Sequence, residues 1–286
     1  MSGTPGLLGS YVKAVAGAAP LPRRPKELRD DAERSAEGLE IDREHLAAYD
    51  RVCGFRLSDE LPPTYLHVLA FPLSMAIMTD TSFPFGVLGL VHVENRIEQL
   101  RPATAEETFD LRVRAENLRD HEKGRAVDLV AEASSEGEVV WRGTSTYLRR
   151  GGGSGSGDGD GAKKGRKEPA EPPRRQGVWS VPGDIGRRYA DVSGDRNPIH
   201  LHPLSAKAFG MPGAIAHGMW VKARCLAALE GRLRDAFTAE VSFKTPMVLP
   251  AKAAFATWRD GDGRAFAVHD AKRGKPHLTG SVTPAG

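Results

Sequence analysis

Tyr189-Ala-Asp-Val-Ser-Gly-Asp195-Arg-Asn-Pro-Ile-His200 is followed, after a short interval, by Gly213-Ala-Ile-Ala-His217-Gly218-Met219. The first run sets a carboxylate and an imidazole five residues apart. Gly194 permits backbone angles that a side chain would forbid. Pro198 stiffens the segment and biases Asn197 away from helical angles, and Asn197 suits the Asx-type bonds that lock a loop. The second run ends in a glycine that opens an apolar stretch, Gly218 to Leu233, rich in alanine and leucine and read as a helix. His217 reads as a structural residue bonded to the backbone. His200 and His202 alternate, but no third ligand stands at a suitable spacing, so no metal is expected.

Strands are predicted to follow that helix at Thr238–Lys244, Lys252–Arg259, Arg264–Asp270 and Leu278–Thr283, with Asp260-Gly-Asp-Gly as a hairpin turn. The same order occurs earlier in the chain. Tyr65 to Met78 is an apolar helix with a kink or a late start at Pro72. It is followed by partial alternation from Gly89 and by strands at Glu107–Leu118, Gly124–Ser134 and Val139–Leu148. Val93 precedes Pro102, and Val241 precedes Pro250, by the same interval, which supports an internal duplication. One apolar helix followed by several antiparallel strands implies an α+β layer with the sheet wrapped around the helix. Two such units would join sheet edge to sheet edge and so satisfy exposed edge strands.

Residues 151–176 hold almost nothing that could be buried and read as a flexible charged linker. Residues 1–39 read as a variable N-terminal extension, polar and loosely held over 20–38. This leaves 40–150 and 177–286 as the two folded units. The formal charge of +3 is uneven: 17 Lys+Arg against 24 Asp+Glu over residues 1–148, 8 against 4 over 149–175, and 15 against 9 thereafter. Two cysteines, Cys53 and Cys225, make neither a disulfide framework nor a zinc site. With no convincing signal peptide and no membrane span, a reducing, cytoplasmic home is expected.

An ionised Asp195 and a neutral His200 could hold one water between them, and the Gly218 amide could face a developing oxyanion at the positive end of its helix. Adding or removing water next to a thioester carbonyl needs those parts. The Tyr189–His200 run, with Ala206 and then Gly213–Met219, resembles the hydratase motif of MaoC-like (R)-specific enoyl-CoA hydratases. The resemblance is strong over about residues 178–284 and weaker over 40–148, and the layout resembles the double hot dog form of 3-hydroxyacyl-thioester dehydratases. It implies two long central helices wrapped by antiparallel sheets joined edge to edge, with catalysis confined to the second half. The residue-by-residue match makes Asp195 and His200 the catalytic dyad, Gly218 the oxyanion amide and Asn197 a loop support, with Gly194 and Pro198 shaping the loop. In the first half Leu61-Pro-Pro-Thr-Tyr has no Asp…Asn-Pro-x-His run, and Gly89-Leu-Val-His92-Val echoes the glycine-to-histidine run but has Val93 where the glycine would be wanted. Met75 and Met78 are candidate linings of an acyl tunnel and also plausible core.

The resemblance implies a trans-2-enoyl thioester of coenzyme A or of an acyl-carrier protein as substrate, no cofactor, and a homodimer as an open expectation. Arg196, Lys207 and Lys222 are candidates to meet the phosphates. The rivals are a hot dog thioesterase, a non-catalytic subunit stabilising a dehydratase, and a nucleic-acid binder resting on Lys163-Lys-Gly-Arg-Lys. The Gly-Asp-x-Asn-Pro-x-His order opposes the first and the intact dyad opposes the second. The last lacks an aromatic platform or a recognition helix.

Overall fold

The computed structural model describes residues 25, 27–29, 32–151 and 174–285. In chain order these form β1 (Glu33–Leu39), α1 (Arg43–Cys53), α2 (Tyr65–Thr79), β2 (Leu90–Gln99), β3 (Phe109–His121), β4 (Gly124–Ser135) and β5 (Glu138–Arg150). They continue with β6 (Gly177–Val181), α3 (Ile185–Ser193), α4 (Pro198–Leu201), α5 (Pro203–Ala208), α6 (Gly218–Ala227), β7 (Phe237–Phe243), β8 (Ala251–Asp260), β9 (Gly263–Asp270) and β10 (Pro276–Pro284).

All ten strands belong to one antiparallel sheet in the order β1-β3-β4-β5-β2-β7-β10-β9-β8-β6. Read outward from the β2–β7 pair, the two sides have the same order. β2, β5, β4, β3 and β1 correspond to β7, β10, β9, β8 and β6. This mirrored topology carries the internal repeat more firmly than the valine–proline spacing did. The halves meet where Glu94–Gln99 pairs with Ser242–Phe237, so each supplies the other's missing edge partner.

The elements follow from local chemistry. Along β3, Phe109, Leu111 and Val113 alternate inward while Asp110 and Arg112 face out, the period-2 pattern of a half-buried strand. α1 is capped by Asp42, whose carboxylate accepts from the Glu44 and His45 amides, and it ends on Gly54 in the left-handed region. α2 is apolar on nearly every side and packs against β1, β3 and β4. Its neighbours anchor its start: Trp141 donates from Nε1 to the Pro63 carbonyl at 2.8 Å, and Tyr49 donates to Thr64 at 2.7 Å.

Several expectations change. α2 runs unbroken through Pro72 from Tyr65, so there is no late start. Of the two long helices expected, only α2 is long. α6 stops at Ala227 rather than Leu233, and the chain then turns through Gly231 at φ 72°. Residues 33–39, assigned to the extension, form edge strand β1 on β3. Gln176, assigned to the linker, exchanges two side-chain bonds with the Thr257 backbone at 2.9 and 2.6 Å and belongs to the fold. Residues 152–173, the bulk of that linker, and Lys163 with it, lie outside the described residues.

Candidate active site

Asp195 and His200 are brought together by two consecutive helix boundaries. Gly194 ends α3 at φ 72°, its N–H donating to the Ala190 carbonyl. A residue with a Cβ would be strained there. The chain then reverses, and Asp195 Oδ1 accepts the Asn197 amide at 3.2 Å. Asn197 caps α4, accepting from the Ile199 amide at 3.3 Å, with Pro198 in the first helical turn. The expected loop is therefore only residues 194–197, and Tyr189 to Ser193 are helical. A further glycine, not singled out from the sequence, permits the packing: a Cβ on Gly186 of α3 would stand 2.0 Å from the His200 carbonyl oxygen.

His200 is buried, and its Nδ1 lies 2.8 Å from the Ile215 carbonyl oxygen. A carbonyl can only accept, so Nδ1 carries the proton and Nε2 keeps its lone pair. Burial lowers the His200 pKa, while the Asp195 carboxylate and the Ile215 bond oppose that shift. The ring is therefore a neutral base at neutral pH. Asp195 keeps 27 % of its side chain exposed.

His217 is more closely involved than expected. Its ring stacks on His200 with centroids 3.6 Å apart, and its Nε2 donates to the Asp195 carbonyl oxygen at 2.9 Å. Burial, then the neighbouring His200, pulls its pKa down to about 3. The 3.8 Å approach of Nε2 to the Asp195 carboxylate is thus not an ion pair. His217 pins the Asp195 backbone, as the structural reading held. Candidate ligand atoms of Asp195, His200 and His217 all lie within 4.8 Å of one another. Imidazole lone pairs lie in the ring plane, and two rings stacked 25° from parallel cannot aim both at one ion at about 2.0 Å. One ring nitrogen on each is also committed to a carbonyl. The cluster suits a hydrogen-bonded water better than a metal.

His217 is also the residue before the first turn of α6. The first bond of this helix runs from the Val221 amide to the His217 carbonyl at 3.2 Å, so the Gly218 N–H has no acceptor within the helix and stands at its positive end. A Cβ on Gly218 would lie 2.8 Å from Phe243 Cε1, so glycine alone fits under that ring.

One helical turn along, Lys222 is fully buried, which corrects its expected place at a phosphate-facing mouth. Its Nζ donates to Asn95 Oδ1 at 2.5 Å, to the Asn95 carbonyl at 3.3 Å and to the Ala239 carbonyl at 2.9 Å. Asn95 and Ala239 flank the β2–β7 seam, so Lys222 ties the helix bearing Gly218 to the junction of the halves. Arg196, half-buried, pairs with Asp191 at 2.8 Å, and Lys207 is exposed. His202 caps α5 by accepting the Leu204 amide. Met75 and Met78 are buried in the hydrophobic core.

The arrangement thus sets a carboxylate, a neutral imidazole and an unengaged helix-end amide in one corner. Residues 166–280 match the family model described as "MaoC like domain". Over 278 residues the chain is 39% identical to 3-hydroxyacyl-thioester dehydratase X of Mycobacterium tuberculosis, covering 97% of this chain and 98% of that protein.

The chain belongs to the MaoC-like 3-hydroxyacyl-thioester dehydratase family.

The crystal structure of HtdX from M. tuberculosis superposes with a TM-score of 0.77 at 37% identity, covering 88% of this chain and all of that one. A MaoC-like dehydratase from Phytophthora capsici shares the fold at 18% identity, with a TM-score of 0.71 over 88% of this chain and 95% of that one. Family membership agrees with the double hot dog layout and makes the protein a dehydratase-type lyase. Among the described residues, no helix is long and apolar enough to cross a membrane.

Proposed function

We propose that this protein reversibly adds water to trans-2-enoyl thioesters, giving (R)-3-hydroxyacyl thioesters, with Asp195 and His200 as its catalytic pair and Gly218 as its oxyanion donor. The observation that carries this reading is the contact of His200 Nδ1 with the Ile215 carbonyl, which sets the tautomer of the ring. With Nδ1–H given to Ile215, Nε2 can only accept, as can the Asp195 carboxylate. A water that donates one hydrogen to each turns its oxygen lone pair outward, toward the β-carbon of a bound enoyl thioester. As the oxygen bonds to that carbon, one member of the pair takes a proton. The double-bond electrons move onto the α-carbon and thioester oxygen, the Gly218 N–H meets the charge on that oxygen, and the pair returns a proton to the α-carbon. The net change is H and OH added across one double bond. Reversed, the same groups expel water.

Asn197, Gly194 and Pro198 hold the loop rather than touch substrate. Coenzyme A and a carrier protein present the same phosphopantetheine arm, and half-buried Arg196 and exposed Lys207 are cations beside the loop. The test offers matched enoyl-CoA and enoyl-carrier thioesters of rising chain length and analyses the product on a chiral phase. An (R)-3-hydroxyacyl product is expected. An (S) product, or free thiol from saturated acyl thioesters, would refute the reading.

A further inference from the structure

Three polar rings from the half of the chain without the Asp–His motif meet beside the candidate site. His67 lies in the first turn of α2, His92 on β2, and Tyr147 opposite His92 on β5. The His92 ring stacks on Tyr147 at 4.7 Å and lies 6.3 Å from that of His67. It also meets Phe243 at 4.9 Å. Phe243 is the ring that roofs Gly218. A continuous series of rings therefore runs from the first half of the chain to the oxyanion amide.

The backbone places His92 there deliberately. Pairing of β2 with β5 slips between His92↔Tyr147 and Glu94↔Thr146, so that Val93 forms a bulge. Pairing of β2 with β7 begins only at Glu94. His92 thus stands at the point where the two halves part, on a bulge of the kind that re-aims side chains near sites.

His92 is not a satisfied core histidine. Its Nε2 is buried without a hydrogen-bond partner, a condition that costs about 1–3 kcal/mol when nothing fills it and that folded proteins seldom tolerate. His67 and Tyr147 beside it are half-buried. The Asp195 carboxylate acts electrostatically on all three groups, so they share its surroundings. Burial, then the nearby Lys222, lowers the His67 pKa to about 4. Burial, then His67 and Lys222, lowers that of His92 to about 3. Uncharged imidazoles are poor partners for a carboxylate or a phosphate and good ones for a hydroxyl.

We propose that His92, with Tyr147 and His67 beside it, is a specificity-determining point that hydrogen-bonds an uncharged hydroxyl substituent on the acyl portion of the thioester. The proposal rests on the hydratase reading of the neighbouring site. A plain hydrocarbon tail would leave His92 Nε2 dry and unpaired, whereas a hydroxylated one would satisfy it.

The test uses the full chain, its His92→Phe and Tyr147→Phe variants, and pairs of enoyl-CoA substrates of equal length. One member of each pair is plain. The other carries a hydroxyl moved outward carbon by carbon from C4. The wild type should favour one hydroxylated member by about tenfold or more in kcat/KM, since a site built to bond an oxygen discriminates against its absence. His92→Phe should abolish that preference while holding kcat/KM on the plain substrate within about threefold. Tyr147→Phe, which removes a single oxygen, guards against a folding defect in the larger change. No preference in the wild type at any position, or equal loss on both substrates in both variants, would overturn the proposal. If the wild type hydrated neither substrate, the hydratase reading would fall separately. Calorimetric binding of the saturated hydroxyacyl-CoA against its plain counterpart would then still decide the recognition point: tighter binding of the former, lost in His92→Phe, supports it, and equal binding refutes it.

Discussion

Replacing Asp195 with asparagine separates chemistry from architecture at one atom. In the folded chain, Asp195 Oδ1 accepts the Asn197 amide at 3.2 Å, and an asparagine carbonyl can accept the same bond. The backbone carbonyl of residue 195 still receives His217 Nε2. The 3.8 Å approach of His217 is not an ion pair to lose, because His217 is held neutral by burial. Stability should therefore change by no more than about 0.5 kcal/mol, a shift of about 2 °C or less in Tm. The reaction loses one of the two acceptors that orient the water and take its proton. General-base groups contribute roughly 10²–10⁴-fold, or about 3–5.5 kcal/mol of barrier, so kcat for enoyl-CoA hydration should fall by that factor. The Asp195 charge also holds the His200 pKa up, so the acid limb of the residual activity should move to lower pH. The assay is the decay of enoyl-thioester absorbance beside a thermal melt of the same preparation. Asp195→Asn retaining more than about a tenth of wild-type kcat would refute the role given to Asp195. A large fall in Tm would show that the loop account is wrong.

Three further outcomes follow from packing and burial. Gly218→Ala keeps the amide but drives a methyl against Phe243; an overlap of this kind costs about 1–3 kcal/mol, kcat/KM should fall by about 5- to 150-fold, and adding Phe243→Leu should restore part of it if the clash is the cause. Lys222→Met strands the Asn95 and Ala239 oxygens at the seam, at a cost of about 3 kcal/mol and roughly 6–12 °C in Tm; calorimetry should show Asn95→Leu recovering part of that loss by removing a stranded acceptor. His67, His92, His200 and His217 all have pKa values lowered by burial. Between their folded values and about 6.5 the unfolded chain binds more protons, so their contribution is intact above about pH 6.5 and is lost as pH falls toward 4. Urea midpoints across that range should drop with acid, while kcat/KM should hold to a pH below 6.5 because His200 stays neutral; a flat urea midpoint would contradict the buried neutral state.

The strands most visible in the sequence were those with an apolar alternation and a glycine-bearing turn, such as β3 to β5 and β8 to β10, and their predicted limits fall within a few residues of the observed ones. β1 was missed because Glu-Arg-Ser-Ala-Glu-Gly-Leu carries no apolar face of its own; pairing with β3 makes it a strand. α1 carries a short signal, the Asp42 cap with Leu46, Tyr49 and Cys53 on one side. The juxtaposition of Asp195 and His200 was legible because they lie in one short run whose glycine, asparagine and proline each have a local backbone job. The setting of Lys222 was not, and His92 was visible only as an echo of the glycine-to-histidine run. A lysine in an apolar helix reads as a surface cation unless its acceptor is known, and Asn95 lies 127 positions away. His92 acquires its setting from a bulge and from Phe243 in the other half, neither of which leaves a local pattern.

The central claim concerns where the oxygen of one water goes. Incubating the protein with a trans-2-enoyl-CoA in heavy-oxygen water, and analysing the products by mass spectrometry, follows that atom directly. The account predicts the label on carbon 3 of an intact hydroxyacyl thioester, with its appearance suppressed in Asp195→Asn. Label in a free carboxylate, accompanied by released thiol, would contradict it.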